Sequence, residues 1–469
     1  MVTNIKLHKQ HAKKPKKSSR KGWMTILGVF VGIYIIFAIF LIKSFATSPE
    51  AVGNKGQEHM VVNPTHPSHT PDDFKHDDDA KDPLIPQPSD LDPEITDHST
   101  DHDTDDSTDE GTTEPAIPSV TKHRLLKDEL YENDKVSLNY NVFTFYYAWY
   151  DAPFDSPDGK KHDYMHWNHQ ILDDHKHICV PPEEIGANVY PSLGLYSSYD
   201  EEMTDVHFQM IADSGIGVVV ISYWPDITGS ESQGSTVSDD LMDMLFRVAQ
   251  KHSLKVSIHL EPFKGRSLKS MTKVMKHISD RWGKHASIHK IDGRISYFVY
   301  DSYLVSKSTW SKLVSTTRGK PHAPYLIGLL VKSTDIQLLT DFDALYSYFA
   351  VDGFTYGSTS RHWRGFVERG SQKFIPCVGP GYIDEKIRPW NRRNTRTRSR
   401  EYYRKMWDAA IASGAEMIAI TSFNEWHEGT VIEPALCDKN GYVKCANNDN
   451  EVVYLDQTRL HVSRFSSKD

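Results

Sequence analysis

Cysteine is scarce in this chain: four in 469 residues, at positions 179, 377, 437 and 445. None of their spacings matches a zinc-binding pair, so the cysteines offer no structural zinc site. A glycine-rich phosphate loop is missing too. The basic run "RPWNRRNTRTRSR" (388–400) therefore lacks the backbone cradle that nucleotide phosphates need. His427-Glu428 starts like the H-E-x-x-H of zinc proteases, but Val431 stands where the second His belongs. Asn-x-Ser/Thr occurs only with Pro in the middle, which blocks N-glycosylation there. The first 21 residues hold no acidic group, and Trp23 to Ile42 hold no charge at all.

These two gaps define the beginning of the chain. A basic tail (1–21) leads into an uncharged stretch (22–42) about as long as a helix needs to cross the roughly 30 Å core of a bilayer. It is too long, and its basic flank too heavy, for a cleaved signal peptide. The basic tail stays cytoplasmic under the positive-inside rule, so the rest of the chain is expected on the luminal side of a single-pass type II anchor. Residues 43–124 are rich in Asp, Thr, His and Pro and nearly free of aromatics. Such a segment cannot bury enough apolar surface to offset its entropy and is expected to be a disordered acidic stem. A nucleic-acid partner does not suit this layout, and the oligomeric state is not legible. In a lumen disulfides are permitted. Cys437 and Cys445 bracket "DKNGYVK", whose Asn440-Gly441 favours a tight turn. A closing disulfide and two free thiols both fit that spacing. Cys377 reads as a packed thiol.

From residue 125 to 469 the composition is globular. Eight apolar or aromatic runs recur: "NVFTFYYAWY", "GVVVISYW", "KVSIHLEPF", "SYFVYDSY", "YLIGLLV", "DALYSYF", "KFIPCVG" and "EMIAITSF". Near-continuous apolar runs mark strands buried on both faces, as in parallel sheets. Between them lie helical patterns such as "SDDLMDMLFRVAQKH", with Ser238 as N-cap, and "LKSMTKVMKHISDRWG". Eight strands alternating with helices fit an α/β (β/α)8 (TIM) barrel better than an open doubly wound sheet.

In such barrels the reactive groups sit at the C-terminal ends of the strands. Trp149, Trp224, Glu261, Tyr303, Tyr346 and Tyr348, Tyr382 and Arg388, and the group Asn424, Glu425 and Glu428 all follow that rule. Aromatic rings and carboxylates around one mouth suit a carbohydrate, and glycosidic hydrolysis usually needs two carboxyl groups. Glu425 and Glu428, flanking Trp426 and His427, are the candidate pair; a solvated turn is the plainer reading of Glu-x-x-Glu. "HDYMHWNH" groups His162, His166 and His169 and reads as a polar, aromatic substrate loop rather than a metal site. Asp341 and Asp343 in "DFD" resemble the Asp-x-Asp of metal-dependent glycosyltransferases but precede a strand instead of following one. The basic run reads as a site-covering loop in which Arg388 faces sugar hydroxyls and the other arginines are solvated.

Taken together, "FYYAWY", "HWNH", "YPSLGLYSS", "SYWP", "PFKGR", "YDSYL", "YFA", "GPGYID", "IRPWN" and "ITSFNEWHEGT" resemble the glycoprotein endo-alpha-1,2-mannosidases, glycoside hydrolase family 99. The resemblance implies a (β/α)8 barrel that cuts glucosylated high-mannose N-glycans within the arm, releases glucosyl-mannose and retains anomeric configuration. It implies no cofactor and no metal, and residence in the Golgi membrane. Glu425 would take the proton of the sugar's 2-hydroxyl, giving a 1,2-anhydro sugar, while Glu428 serves as general acid and then base. Tyr147, Trp224, His259, Glu261, Tyr303, Tyr346, Tyr348, Arg388 and Asn424 would contact the substrate, with the choice between Tyr346 and Tyr348 left open. Segment 436–451 looks inserted, and the final helix is expected to be shorter than is usual for the family. A type II glycosyltransferase and a non-catalytic glycan-binding homologue are the alternatives.

Overall fold

The computed structural model describes residues 136–467, apart from 155, 157, 158, 160, 173–176, 226–236 and 446–448. The expected tail, anchor and stem lie outside the described residues. Among those described, no helix is long and apolar enough to cross a membrane.

All eight apolar runs form strands. The order along the chain is β1 (Asn139–Tyr146), α1 (Glu201–Asp213), β2 (Ile216–Tyr223), α2 (Asp239–Lys251), β3 (Lys255–Leu260) and α3 (Leu268–Trp282). A short hairpin of β4 (Lys290–Ile291) and β5 (Arg294–Val299) follows, then α4 (Lys307–Thr317), β6 (Pro324–Leu329), α5 (Asp335–Leu338) and β7 (Ala344–Tyr346). The last part holds α6 (Ser360–Arg369), β8 (Lys373–Ile375), β9 (Cys377–Val378), α7 (Arg400–Ala412), β10 (Ile418–Ile420) and α8 (Val453–Ser466). The strands pair in the order β8-β7-β6-β5-β3-β2-β1-β10-β9, parallel throughout except for β4 on β5. β8 and β9 are separated by Pro376 alone, so the two ends of the path belong to one interrupted strand and the ring closes as an eightfold barrel. Proline lacks the N–H that an unbroken ladder would use there.

Helix ends follow the sequence signals. Ser238 caps α2 by accepting from the Leu241 amide, Ser267 and Ser270 form a reciprocal capping box on α3, and Ser399 caps α7 through the Tyr402 amide. α8 buries Val453, Tyr454, Leu455, Thr458, His461, Val462 and Phe465, and the Thr458 hydroxyl lies 2.8 Å from that of Tyr403 on α7. The final helix thus packs its apolar face against its neighbours and is bonded to α7. Cys437 and Cys445 are joined by a disulfide, while Cys179 and Cys377 are free and buried.

Aromatic rings stack through the barrel interior among branched aliphatics such as Val218, Val220 and Ile327, and their layering locates the site. Side chains alternate along a strand. On β1, Phe143 and Phe145 point inward, whereas Tyr146 packs outward on Phe208 of α1, 5.3 Å between ring centroids. Phe143 and Phe145 both meet Phe298 of β5, at 5.3 and 5.5 Å. One layer higher, Phe145 contacts His259 of β3 at 4.7 Å and Tyr346 of β7 at 5.9 Å. Above that, Tyr300 and Tyr348 meet edge to face at 5.1 Å, and the Tyr147 hydroxyl bonds that of Tyr348. Each such ring pair adds about 0.5–1.5 kcal/mol beyond its burial. The aromatic column rises along the barrel axis and ends where the carboxylates begin.

Candidate active site

Glu425 and Glu428 stand at the C-terminal end of β10, on a turn that the surrounding chain grips closely. The Glu425 amide donates to the Ser422 hydroxyl at 2.8 Å, and the Ile383 amide donates to the Glu428 carbonyl at 2.8 Å. Residues 426–428 make one 3-10 turn, closed by Gly429 in the left-handed region at φ 60°. A Cβ there would come within 2.9 Å of the Ile383 carbonyl oxygen, so glycine is required on two counts. Both acids are buried, at 1% and 6% exposure. The solvated-turn reading is thereby excluded.

Burial raises both carboxyls. Glu425 is pushed well above its usual range, first by burial and then by the charge of Glu428. Glu428 rises to about 7; burial lifts it, Arg388 restrains it and Asp384 lifts it further. The Arg388 guanidinium lies 3.6 Å from Glu428 and bonds Asp384 at 3.0 Å. Asp384, fully buried, also accepts from the Tyr382 hydroxyl and from Asn391, each at 2.8 Å. Arg388 is thus a buried cation shared by two carboxylates. Two titrating acids in one cation's field exchange protons as a unit.

A third carboxylate completes the acidic set. Glu261, just past β3, accepts from Ser222 at 2.8 Å, sits 3.0 Å from His259 Nδ1, and lifts the proton affinity of both Glu425 and Glu428. His259 Nε2 bonds the Tyr346 hydroxyl at 2.9 Å. Both tyrosines left open by the sequence face inward, at different heights. Tyr346 lies in the lower layer with His259, while the Tyr348 hydroxyl feels the charges of Glu428 and Glu425 and belongs to the reactive layer. Tyr348 adopts a positive φ of 51°, uncommon for an aromatic residue, and the Thr421 hydroxyl holds its carbonyl at 2.5 Å. Asn424 exchanges two hydrogen bonds with the Tyr147 backbone, at 2.7 and 2.9 Å, joining the ends of β10 and β1. Trp224 is half-buried just past β2 and packs on the core.

Tyr303, partly buried past β5, donates its hydroxyl to Asp301 at 2.7 Å. Tyr300 takes the inward place: its ring meets His259 and Tyr348, and Glu428 acts on its hydroxyl. The parity of β5, two residues on from Phe298, was the signal for it. The arginines of 388–400 are not all solvated beyond Arg388. Arg398 donates to the Gly429 carbonyl at 2.7 Å and lies 4.8 Å over the Tyr454 ring, tying the turn to α8. Asp341 and Asp343 fall before β7, away from the C-terminal rim. Asp343 takes a bidentate pair from Arg294 at 2.8 and 2.9 Å and also accepts the Leu326 amide, and Asp341 accepts from Ser311. Both are structural, and the Asp-x-Asp reading loses its basis. His166 stacks on Trp149 at 4.9 Å, His162 pairs with Asp151 at 2.9 Å, and His169 lies 4.7 Å from His427. Among the described residues, no three His, Cys, Asp or Glu side chains converge as metal ligands.

A sequence model of glycosyl hydrolase family 99 matches residues 137–467. The chain belongs to that family. It is 37% identical to the glycoprotein endo-alpha-1,2-mannosidase of Rattus norvegicus, over 74% of this chain and 80% of that one. The Xenopus laevis protein of the same name is also 37% identical, over 72% and 81%. A solved GH99 endo-alpha-mannosidase from Bacteroides thetaiotaomicron matches with a TM-score of 0.63 and 34% identity, covering 71% of this chain and 99% of that one. Family 99 membership makes the protein a glycoside hydrolase.

Proposed function

We propose that the protein is an endo-acting, retaining hydrolase that cleaves the alpha-1,2-mannosidic bond of glucosylated high-mannose N-glycans and releases glucosyl-mannose. The observation that carries this is the burial of Glu425 and Glu428 together above an aromatic column, with Arg388 against Glu428. The column offers flat apolar surface to sugar faces, and the family's named relatives act on this bond.

In this reading Glu425 draws the proton from the sugar's 2-hydroxyl, whose oxygen attacks its own anomeric carbon and forms a 1,2-anhydro sugar. Glu428 gives its proton to the departing oxygen, then takes one from the water that opens the epoxide, while Glu425 returns its proton to the freed 2-oxygen. The chemistry needs one proton on the pair, and needs it on Glu428. Arg388 by itself favours the opposite sharing, because its charge stabilises an ionised Glu428. A substrate hydroxyl donated to Glu425 stabilises the ionised form of that residue, and so moves the shared proton to Glu428 as the sugar binds. The protonated state therefore follows substrate arrival rather than preceding it.

Incubating the protein with a glucosylated high-mannose glycan and weighing the released sugar tests the reading. A glucosyl-mannose disaccharide or longer product, first formed as the alpha anomer, is expected; free glucose alone would identify an exo-glucosidase. We place the head in the Golgi lumen on a single-pass anchor, from the basic, uncharged and acidic order of residues 1–124. The disulfide supports that placement, since oxidised pairs persist in secretory compartments. Alkylation in denaturant without reductant should leave Cys437 and Cys445 of the cell-made protein unlabelled. Labelling of both would put the head in the cytosol.

A further inference from the structure

Behind the turn that carries Glu425 runs a buried polar chain that the proposed chemistry does not use. Glu433 and His207 have no exposed side-chain surface. Glu433 Oε2 accepts from the Tyr196 hydroxyl at 2.8 Å and from Trp426 Nε1 at 3.2 Å. Its Oε1 stands 3.4 Å from His207 Nε2, and the Nδ1 of that ring lies 3.0 Å from the Tyr146 hydroxyl. The Tyr196 oxygen, having donated to Glu433, itself accepts from Trp426 Nε1 at 3.0 Å and from Asn424 Nδ2 at 3.3 Å. Asn424 and Trp426 are the two sequence neighbours of Glu425. Both side chains thus end on one phenol oxygen, and that oxygen is tied to one carboxylate.

The participants come from separate parts of the chain. Tyr196 belongs to the connection between β1 and α1, His207 to α1, and Glu433 to the segment after the catalytic turn. A buried carboxylate is a poor way to gain stability, because apolar residues of equal volume often serve as well or better. A buried polar network does fix direction, since its donors can point only at the few acceptors around them. We propose that Glu433, acting through Tyr196, is a positioning residue for the hydrolytic step. It holds Asn424 and Trp426, and thereby sets the aim of Glu425 between them. Neither Glu433 nor Tyr196 is asked to touch sugar. The inference rests on the reading of Glu425 as the base of the reaction.

Tyr196→Phe tests it with little disturbance, because the ring keeps its edge-to-face contact with Trp167, 5.2 Å between centroids. The variant loses the shared oxygen, and kcat is expected to fall about 10–100-fold, the cost of a misplacement near 1 Å. KM should stay within about twofold and the melting temperature near that of the wild type. Glu433→Gln keeps the volume with a weaker, uncharged acceptor and should lower kcat in the same sense by less. Unchanged kcat in both variants overturns the proposal. So does a fall in kcat matched by an equal rise in KM or by loss of the native melting transition. The wild type in the same assay separates the two readings: failure of wild-type turnover defeats the functional assignment, whereas active wild type with unaffected variants defeats only the positioning role.

Discussion

Glu425→Gln and Glu428→Gln are each expected to lower kcat about 10²–10⁴-fold, the size of a general acid or base contribution. Gln keeps the shape and the hydrogen-bonding length of each side chain but can neither take nor give the proton. The same substitution at Glu428 should make the protein harder to melt at alkaline pH. The folded protein holds protons on these carboxyls more tightly than the unfolded chain does, because their values are raised. The stability this gives is full below the ordinary value of 4.5 and is lost as pH rises through the folded value of about 7 for Glu428. Above that window the wild type carries a buried negative charge that Gln lacks, so the variant should melt about 2–4 °C higher at pH 8. Catalytic loss joined to thermal gain is what a site built against stability predicts. Wild-type turnover in both variants, measured on the glucosylated glycan, would remove the pair from the mechanism.

The second large effect concerns Arg388. Its charge lowers the proton affinity of both Glu425 and Glu428. Arg388→Gln removes that restraint, so both carboxyls rise further. The productive form has one proton on the pair, hence both limbs of the pH–rate curve should move to higher pH and the optimum with them. The rate at the new optimum should still be about 10²-fold down, since a preorganised cation beside the reacting acid is lost. The variant also leaves Asp384 buried without its cation, so melting is to be followed in parallel. An optimum that stays in place, or moves to lower pH, would show that Arg388 does not govern the pair. An effect confined to KM would restrict it to holding sugar.

Much of this architecture is readable in the sequence because buried parallel strands need continuous apolar runs, and eight such runs became the eight staves of the barrel. The strand ends then mark the candidates, and the two glutamates are buried together past β10. What the sequence does not carry is a side chain's direction, as opposed to its type. Tyr303 looks as good a sugar contact as Tyr300, yet parity from Phe298 sends Tyr300 inward and leaves Tyr303 to Asp301. Glu433 was passed over because a lone acid after "VI" carries no spacing signal; its partners Tyr196 and His207 lie more than 200 residues earlier. Arg398 was lost in a run of similar cations, and only the tertiary fold distinguishes the one that reaches Gly429.

That Arg398 contact ties the end of the chain to the site. The guanidinium that steadies the Gly429 carbonyl rests on Tyr454 of α8, which follows every other element of the barrel in chain order. The last helix and the turn that carries Glu425 and Glu428 are thereby linked through one guanidinium, so loss of that helix removes the ring on which the support of the turn rests.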